Sequence, residues 1–201
     1  MITHNLFPTA VSYFEFGSDL TEVELNFIKN LEQRNNDGNK TSVNNTLFET
    51  AELAEIARFC EESLAEYYKE VYSPKFDVAP YITQSWANFT DKGQWHHKHQ
   101  HPNSFISGVF YVQAQKDIDK IYFYKDGYSQ IKLPAETFNL YNSDSWWLPA
   151  TTGQLVLFPS HLTHMVQTVE TDETRISISF NTFLKGYIGN DLDLTGLHLG
   201  A

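Results

Sequence analysis

A chain of 201 residues is long enough for one domain with a sizeable core. Its 41% apolar and 19% charged residues are a globular composition, not a disordered one. A formal net charge of −11, with three Arg and no basic run, argues against nucleic acid and anionic membrane surfaces as partners.

No stretch approaches the roughly 20 apolar residues of a membrane span. Met1–Asn5 has neither the basic flank nor the apolar core of a signal peptide. The lone cysteine, Cys60, cannot form an internal disulfide, which fits a reducing compartment such as the cytoplasm. Aromatic residues reach 15%, and their rings suit a pleated, half-buried surface.

Residues 1–15 read as an extended lead-in. A helix is predicted over 21–34, with Thr21 as cap, Glu24 three residues on, and Val23, Leu25, Phe27, Ile28 and Leu31 on one stripe. The Asn-, Asp- and Gly-rich residues 35–47 read as a loop. Asn44-Asn45-Thr46 fits a glycosylation pattern, but no secretion signal accompanies it. A second, longer helix is predicted over 50–71, where Leu53, Ile56, Ala57, Phe59, Cys60, Leu64 and Tyr67 repeat near a 3.6 period. Cys60 is expected to be a buried, inert thiol on that helix. Ser73-Pro74 ends it.

From residue 76 the texture becomes β. Strands are predicted at Ile82–Asn88, Phe105–Val112, Lys120–Tyr124, Gln130–Lys132, Gly153–Phe158, Met165–Val169 and Arg175–Phe183. Asp126-Gly127 signals a hairpin turn. Helices first and strands second make a mainly β, α+β chain: an antiparallel barrel or sandwich supported by N-terminal helices. Residues 1–201 read as one domain, with a helical support over 1–75 and a β core over 76–190.

Six of the eight histidines fall in two places: His96, His97, His99 and His101, then His161 and His164. Side chains two apart on a strand share a face. His99 and His101 can therefore reach one ion, and so can His97 and His99. His164 begins a later strand, after Phe158-Pro159-Ser160, and a rolled antiparallel sheet can bring it beside the first cluster. Imidazole suits zinc, copper, iron and nickel, so residue type does not name the metal. Arg175 and Ser177 share a strand face. A guanidinium forks onto a carboxylate and a hydroxyl can add a third bond. The competing reading of Arg175 is a salt bridge to an acid such as Glu170 or Glu173.

In these motifs the chain resembles the 2-oxoglutarate and iron(II)-dependent oxygenases. The resemblance is carried by Trp86-Ala87-Asn88, His99-Gln100-His101-Pro102-Asn103-Ser104, Ser107-Gly108-Val109-Phe110-Tyr111, Phe158-Pro159-Ser160…His164, and Arg175-Ile176-Ser177…Phe180-Asn181. It implies a double-stranded β-helix (jelly-roll) core. It implies Fe(II) ligands at His99, His101 and His164, with Arg175, Ser177 and Tyr111 around the far carboxylate of 2-oxoglutarate and Asn88 near the site. It implies hydroxylation of a substrate as 2-oxoglutarate becomes succinate and carbon dioxide. His101 departs from the family pattern, which has Asp or Glu there. His97 and Asp91 are the alternative third ligands. Ligand histidines must be neutral, so activity should fall below about pH 6.5.

Two other readings compete. A cupin-type three-histidine enzyme without 2-oxoglutarate fits Gly93-x5-His99-x-His101, but lacks the glutamate expected soon after His101 and leaves Arg175 unexplained. A non-enzymatic jelly-roll module would use Trp95, Trp146 and Trp147 as contacts. The substrate, a protein side chain or a small molecule, is not legible, nor is the oligomeric state.

Overall fold

The computed structural model describes residues 1–127, 131 and 133–200. Strand β1 (Ser12–Glu15) leads into helix α1 (Glu22–Lys29), short strands β2 (Gln33–Asn35) and β3 (Lys40–Ser42), and helix α2 (Ala54–Tyr72). Eight further strands form the main β part: β4 (Val78–Thr90), β5 (His96–His99), β6 (Ile106–Gln113), β7 (Lys120–Tyr124), β8 (Ser145–Pro149), β9 (Gln154–Pro159), β10 (His164–Val166) and β11 (Arg175–Ile188). A short β12 (Leu197–Leu199) pairs with the end of β11.

Two antiparallel sheets result. The major sheet runs β1-β9-β6-β11-β4-β3-β2, and the minor sheet runs β5-β10-β7-β8. From β4 to β11 the chain alternates between them, with β7 and β8 as one hairpin in the minor sheet. That winding is the double-stranded β-helix.

The strand period of two separates the faces of the major sheet. Phe110, Leu155, Leu157, Ile176, Ile178 and Phe180 face outward and pack with Ile56, Cys60, Leu64 and Tyr67 of α2. Val109, Tyr111, Val156 and Phe158 face inward and meet Ile121 and Phe123 of the minor sheet. Gly108 sits where a Cβ would run into the Phe180 ring, so only glycine lets β6 and β11 lie this close.

Thr21 caps α1 and forms the capping box with Glu24, as the sequence predicts. The helix stops at Lys29, short of residue 34, because Asn30 folds onto the Asn26 and Ile28 carbonyls. Ser73 ends α2 in a left-handed conformation. Cys60 is fully buried, and burial raises its thiol pKa, so it is held as the inert thiol.

Several boundaries differ from the sequence reading. The lead-in holds β1, paired with β9. The presumed loop over 35–47 contains β3, which pairs with β4 through Lys40↔Phe89 and Thr41↔Asn88. Strand β8 was not anticipated: Ser-Trp-Trp-Leu-Pro has no alternation and lies on a sheet edge, where proline is tolerated. Asp126-Gly127 does not close a tight hairpin. Strand β7 pairs with β8 on one side and β10 on the other, and β8 begins only at Ser145. The strand proposed at Gln130–Lys132 has its named ends outside the described residues.

Candidate active site

His99 is the last residue of β5 and His164 the first of β10, and they are direct cross-strand partners. The pairing slips between His164 and Val166, because three residues of β5 span two of β10. Such a bulge re-aims side chains. His101 lies beyond β5, not on it as the spacing argument assumed. Its backbone N–H is fixed to the Ser160 carbonyl at 3.0 Å. One ligand atom each from His99, His101 and His164 falls within 4.8 Å of the others.

Hydrogen bonds set the tautomers. His99 Nδ1 lies 2.7 Å from the His97 carbonyl, and His164 Nδ1 lies 2.9 Å from the Leu162 carbonyl. A carbonyl only accepts, so each Nδ1 carries the proton and each Nε2 presents a lone pair. His101 Nε2 lies 3.2 Å from His164 Nε2. The two rings are stacked with centroids 5.1 Å apart, and the Phe158 ring packs edge-on against His164 at 4.7 Å.

Burial favours the uncharged form of these imidazoles. It lowers His99 and His164, and takes His101 down to about 4, with neighbouring histidines adding to it in each case. His96 falls to about 3 for the same first reason, and Arg175 is among the charges it feels. The cluster is therefore neutral at pH 7, the state a cation requires.

A polar chain lies beside His101. Ser104, Ser160 and Ser107 hydroxyls are linked at 2.7 and 2.8 Å, and Ser107 reaches Asn181 Oδ1 at 3.4 Å; the Asn181 side chain opposes the downward shift of His101. Sequence reasoning quoted these four as motif letters and missed what they do. The available signal was that Ser107 and Asn181 fall on inward-facing strand positions.

The second half of the site lies along the same inner face. Ser177 pairs with Asn88 on β4 and Tyr111 on β6, so the three form one row across the sheet. Arg175, two residues along, is 4% exposed. Its Nη1 donates to the Lys120 carbonyl at 3.0 Å, and its guanidinium sits 5.2 Å from the Tyr111 ring centroid. Among the described residues no carboxylate lies within ion-pair distance of it. Glu173 is engaged by Gln115, so the salt-bridge reading of Arg175 has no support. The Tyr111 and Asn88 side-chain oxygens are buried with no hydrogen-bond partner among the described residues. A buried guanidinium without an anion and an orphaned buried hydroxyl beside it are costly. Both fit an incoming carboxylate, and the three converging imidazoles fit a divalent metal.

The other candidates fall elsewhere. Asp91 accepts from Thr174 at 2.6 Å and stands 3.8 Å from Lys40, in neither of the two ligand clusters found among the described residues. His97 belongs to the second cluster, with His96 and His99. Trp95 is largely exposed; Trp146 and Trp147 lie on β8, and the Lys120 ammonium covers the Trp147 ring at 4.2 Å.

Residues 84–181 match the model of the family described as "Putative 2OG-Fe(II) oxygenase". Over this segment, just under half of its length, the chain is similar to the 2OG-Fe(II) oxygenases. The matched segment runs from β4 to β11 and contains every residue of the site. The chain also shares its fold with solved structures. HygX from Streptomyces hygroscopicus, with nickel, 2-oxoglutarate and hygromycin B bound, aligns at TM-score 0.62 and 11% identity over 87% of this chain and 82% of that one. A Trichoplax adhaerens prolyl hydroxylase bound to a peptide fragment of hypoxia inducible factor aligns at 0.59 and 14%, over 86% and 83%. A Pseudomonas putida prolyl-4-hydroxylase aligns at 0.54 and 12%, over 86% and 92%. No curated protein matches the sequence significantly. Iron(II) and 2-oxoglutarate are the metal and co-substrate for which the matched family is named. Among the described residues no helix is long and apolar enough to cross a membrane.

Proposed function

We propose that His99, His101 and His164 hold the iron(II), that Arg175, Tyr111 and Ser177 hold the far carboxylate of 2-oxoglutarate, and that the enzyme hydroxylates a small molecule or a protein side chain. The observation that carries this is the pairing, inside one barrel, of three neutral imidazoles with a buried guanidinium that has no carboxylate partner among the described residues. Iron(II), when bound, supplies the activation of dioxygen that converts 2-oxoglutarate to succinate and carbon dioxide and oxidises a substrate C–H bond.

The protein's part is binding, orientation and exclusion of water. The His97 and Leu162 carbonyls fix two imidazoles with Nε2 inward. The Ser160 carbonyl holds the backbone of the third, beside Asn181. Phe158 and Phe123 wall the His164 side. Arg175 neutralises a carboxylate in a buried setting, where charge-assisted bonds are strong. Tyr111 donates its free O–H to the same group, and Ser177 faces it from the adjoining strand. Three imidazoles in place of two and a carboxylate leave the metal one unit more positive. The reading takes residues 1–75 as helical support for a core over 76–190 in one domain, and the reduced Cys60 accords with a cytoplasmic enzyme.

Purified protein given iron(II), ascorbate and 2-oxoglutarate should release succinate and carbon dioxide, and Arg175→Ala should abolish this. If neither binding nor turnover of 2-oxoglutarate occurs, the proposal fails, and a three-histidine enzyme without that co-substrate takes its place.

A further inference from the structure

His99 is surrounded by imidazoles on both sides. Its ring centroid lies 4.3 Å from His164 and 4.9 Å from His101 on one side, and 4.7 Å from both His96 and His97 on the other. Ligand atoms of His96, His97 and His99 fall within 4.8 Å of one another, the same spacing that defines the first trio. The bulge in β5 brings this about, because a regular strand would send His96 and His97 to opposite faces. His97 Nδ1 is out of water and hydrogen-bonded to nothing among the described residues, and Asp37 Oδ2 stands 3.8 Å from it. Neither the His96 nor the His97 side chain has a role in holding iron(II) or 2-oxoglutarate in the account above.

We propose that His96, His97 and His99 form a second site for a divalent transition metal, with Asp37 beside His97, and that this site and the iron site exclude one another. The inference rests on His99 being a ligand of the first site. His99 commits Nδ1–H to the His97 carbonyl and has one lone pair left, on Nε2. It can complete one trio at a time. The His97 side chain is 37% exposed, while His164 is buried. The His97 edge of the outer trio is therefore open to an ion from solvent, and an ion that engages His99 in one trio leaves the other incomplete.

The test is zinc binding without co-substrate or turnover, because Zn2+ accepts imidazole in any tetrahedral arrangement. Equilibrium dialysis at micromolar free Zn2+ is compared for wild type, His101→Gln/His164→Gln, the same pair with His96→Gln/His97→Gln added, and His96→Gln/His97→Gln alone. The first double variant should keep one equivalent and the quadruple variant none. The His96/His97 double variant should keep one equivalent through the iron site. Loss of zinc from His101→Gln/His164→Gln, or equal binding by the quadruple variant, overturns the second site. Loss from His96→Gln/His97→Gln instead counts against the iron site as assigned, so the two failures are distinguishable. If removing both inner histidines prevents folding, single His164→Gln with and without His97→Gln gives the same comparison.

Discussion

His99 and His164 stand directly opposite one another across the β5–β10 pair, each with its Nδ1 tied to a carbonyl two residues back in its own strand or turn. The register and the two hydrogen bonds aim both Nε2 atoms at one point. His99→Ala or His164→Ala should therefore lower iron affinity by at least the ten- to hundredfold, roughly, that loss of a supporting residue costs. His101→Asp should keep the metal, since it supplies the carboxylate usual in the family. Metal titration of the three variants checks this.

Asn181 stands beside His101, and the Ser160 carbonyl accepts from the His101 backbone N–H; neither belongs to the histidine trio. Asn181→Ala should weaken iron binding by roughly ten- to hundredfold while leaving the far-carboxylate pocket intact. The expected signature is a changed metal affinity with an unchanged KM for 2-oxoglutarate at saturating iron. A rise in KM alone would remove Asn181 from this role.

Arg175→Lys keeps the charge but loses the fork. It should raise the dissociation constant for 2-oxoglutarate by about tenfold or more, the scale of a charge-assisted hydrogen bond of about 1.5–3 kcal/mol. Tyr111→Phe should cost less, because it removes one donor and leaves the ring under the guanidinium. Calorimetric titration of both variants orders the two effects.

The metal-free protein should lose stability as pH falls below 6.5. The folded-state values of His101 and His96 are depressed to about 4 and about 3, so between 6.5 and those values the unfolded chain binds protons that the folded chain does not. The thermal midpoint of the metal-free protein should drop progressively over that window and recover as pH is raised. Proton competition with the metal should set in nearer pH 4 than the 6.5 expected from unperturbed histidine. A midpoint flat from pH 7 to pH 4 would contradict the burial of these rings.

Gly108→Ala tests the packing that brings β6 and β11 together. Overpacking of this kind costs typically about 1–3 kcal/mol, so chemical denaturation should show a loss of that size.

The helices and most strands were legible because their apolar residues repeat at 3.6 or at 2, and the Thr21–Glu24 capping box is a purely local pattern. The membership of Arg175, Ser177 and Tyr111 in one patch was legible from spacing and resemblance. What the sequence hid depends on pairing at a distance. Strand β8 carries no alternation and is held by Lys120↔Pro149 through Tyr124↔Ser145. The bulge that turns His96 toward His99 is visible only once β10 lies alongside. The serine chain joins Ser104, Ser107 and Ser160 from separate parts of the fold, and no local rule connects them.

The most direct test of the central claim is anaerobic calorimetric titration of 2-oxoglutarate into the iron(II)-loaded protein, repeated without metal and with Arg175→Ala. One molecule should bind per chain in the loaded wild type, with affinity strongly reduced in both controls. Binding indifferent to iron and to Arg175, or no binding in any of the three, would contradict the assignment.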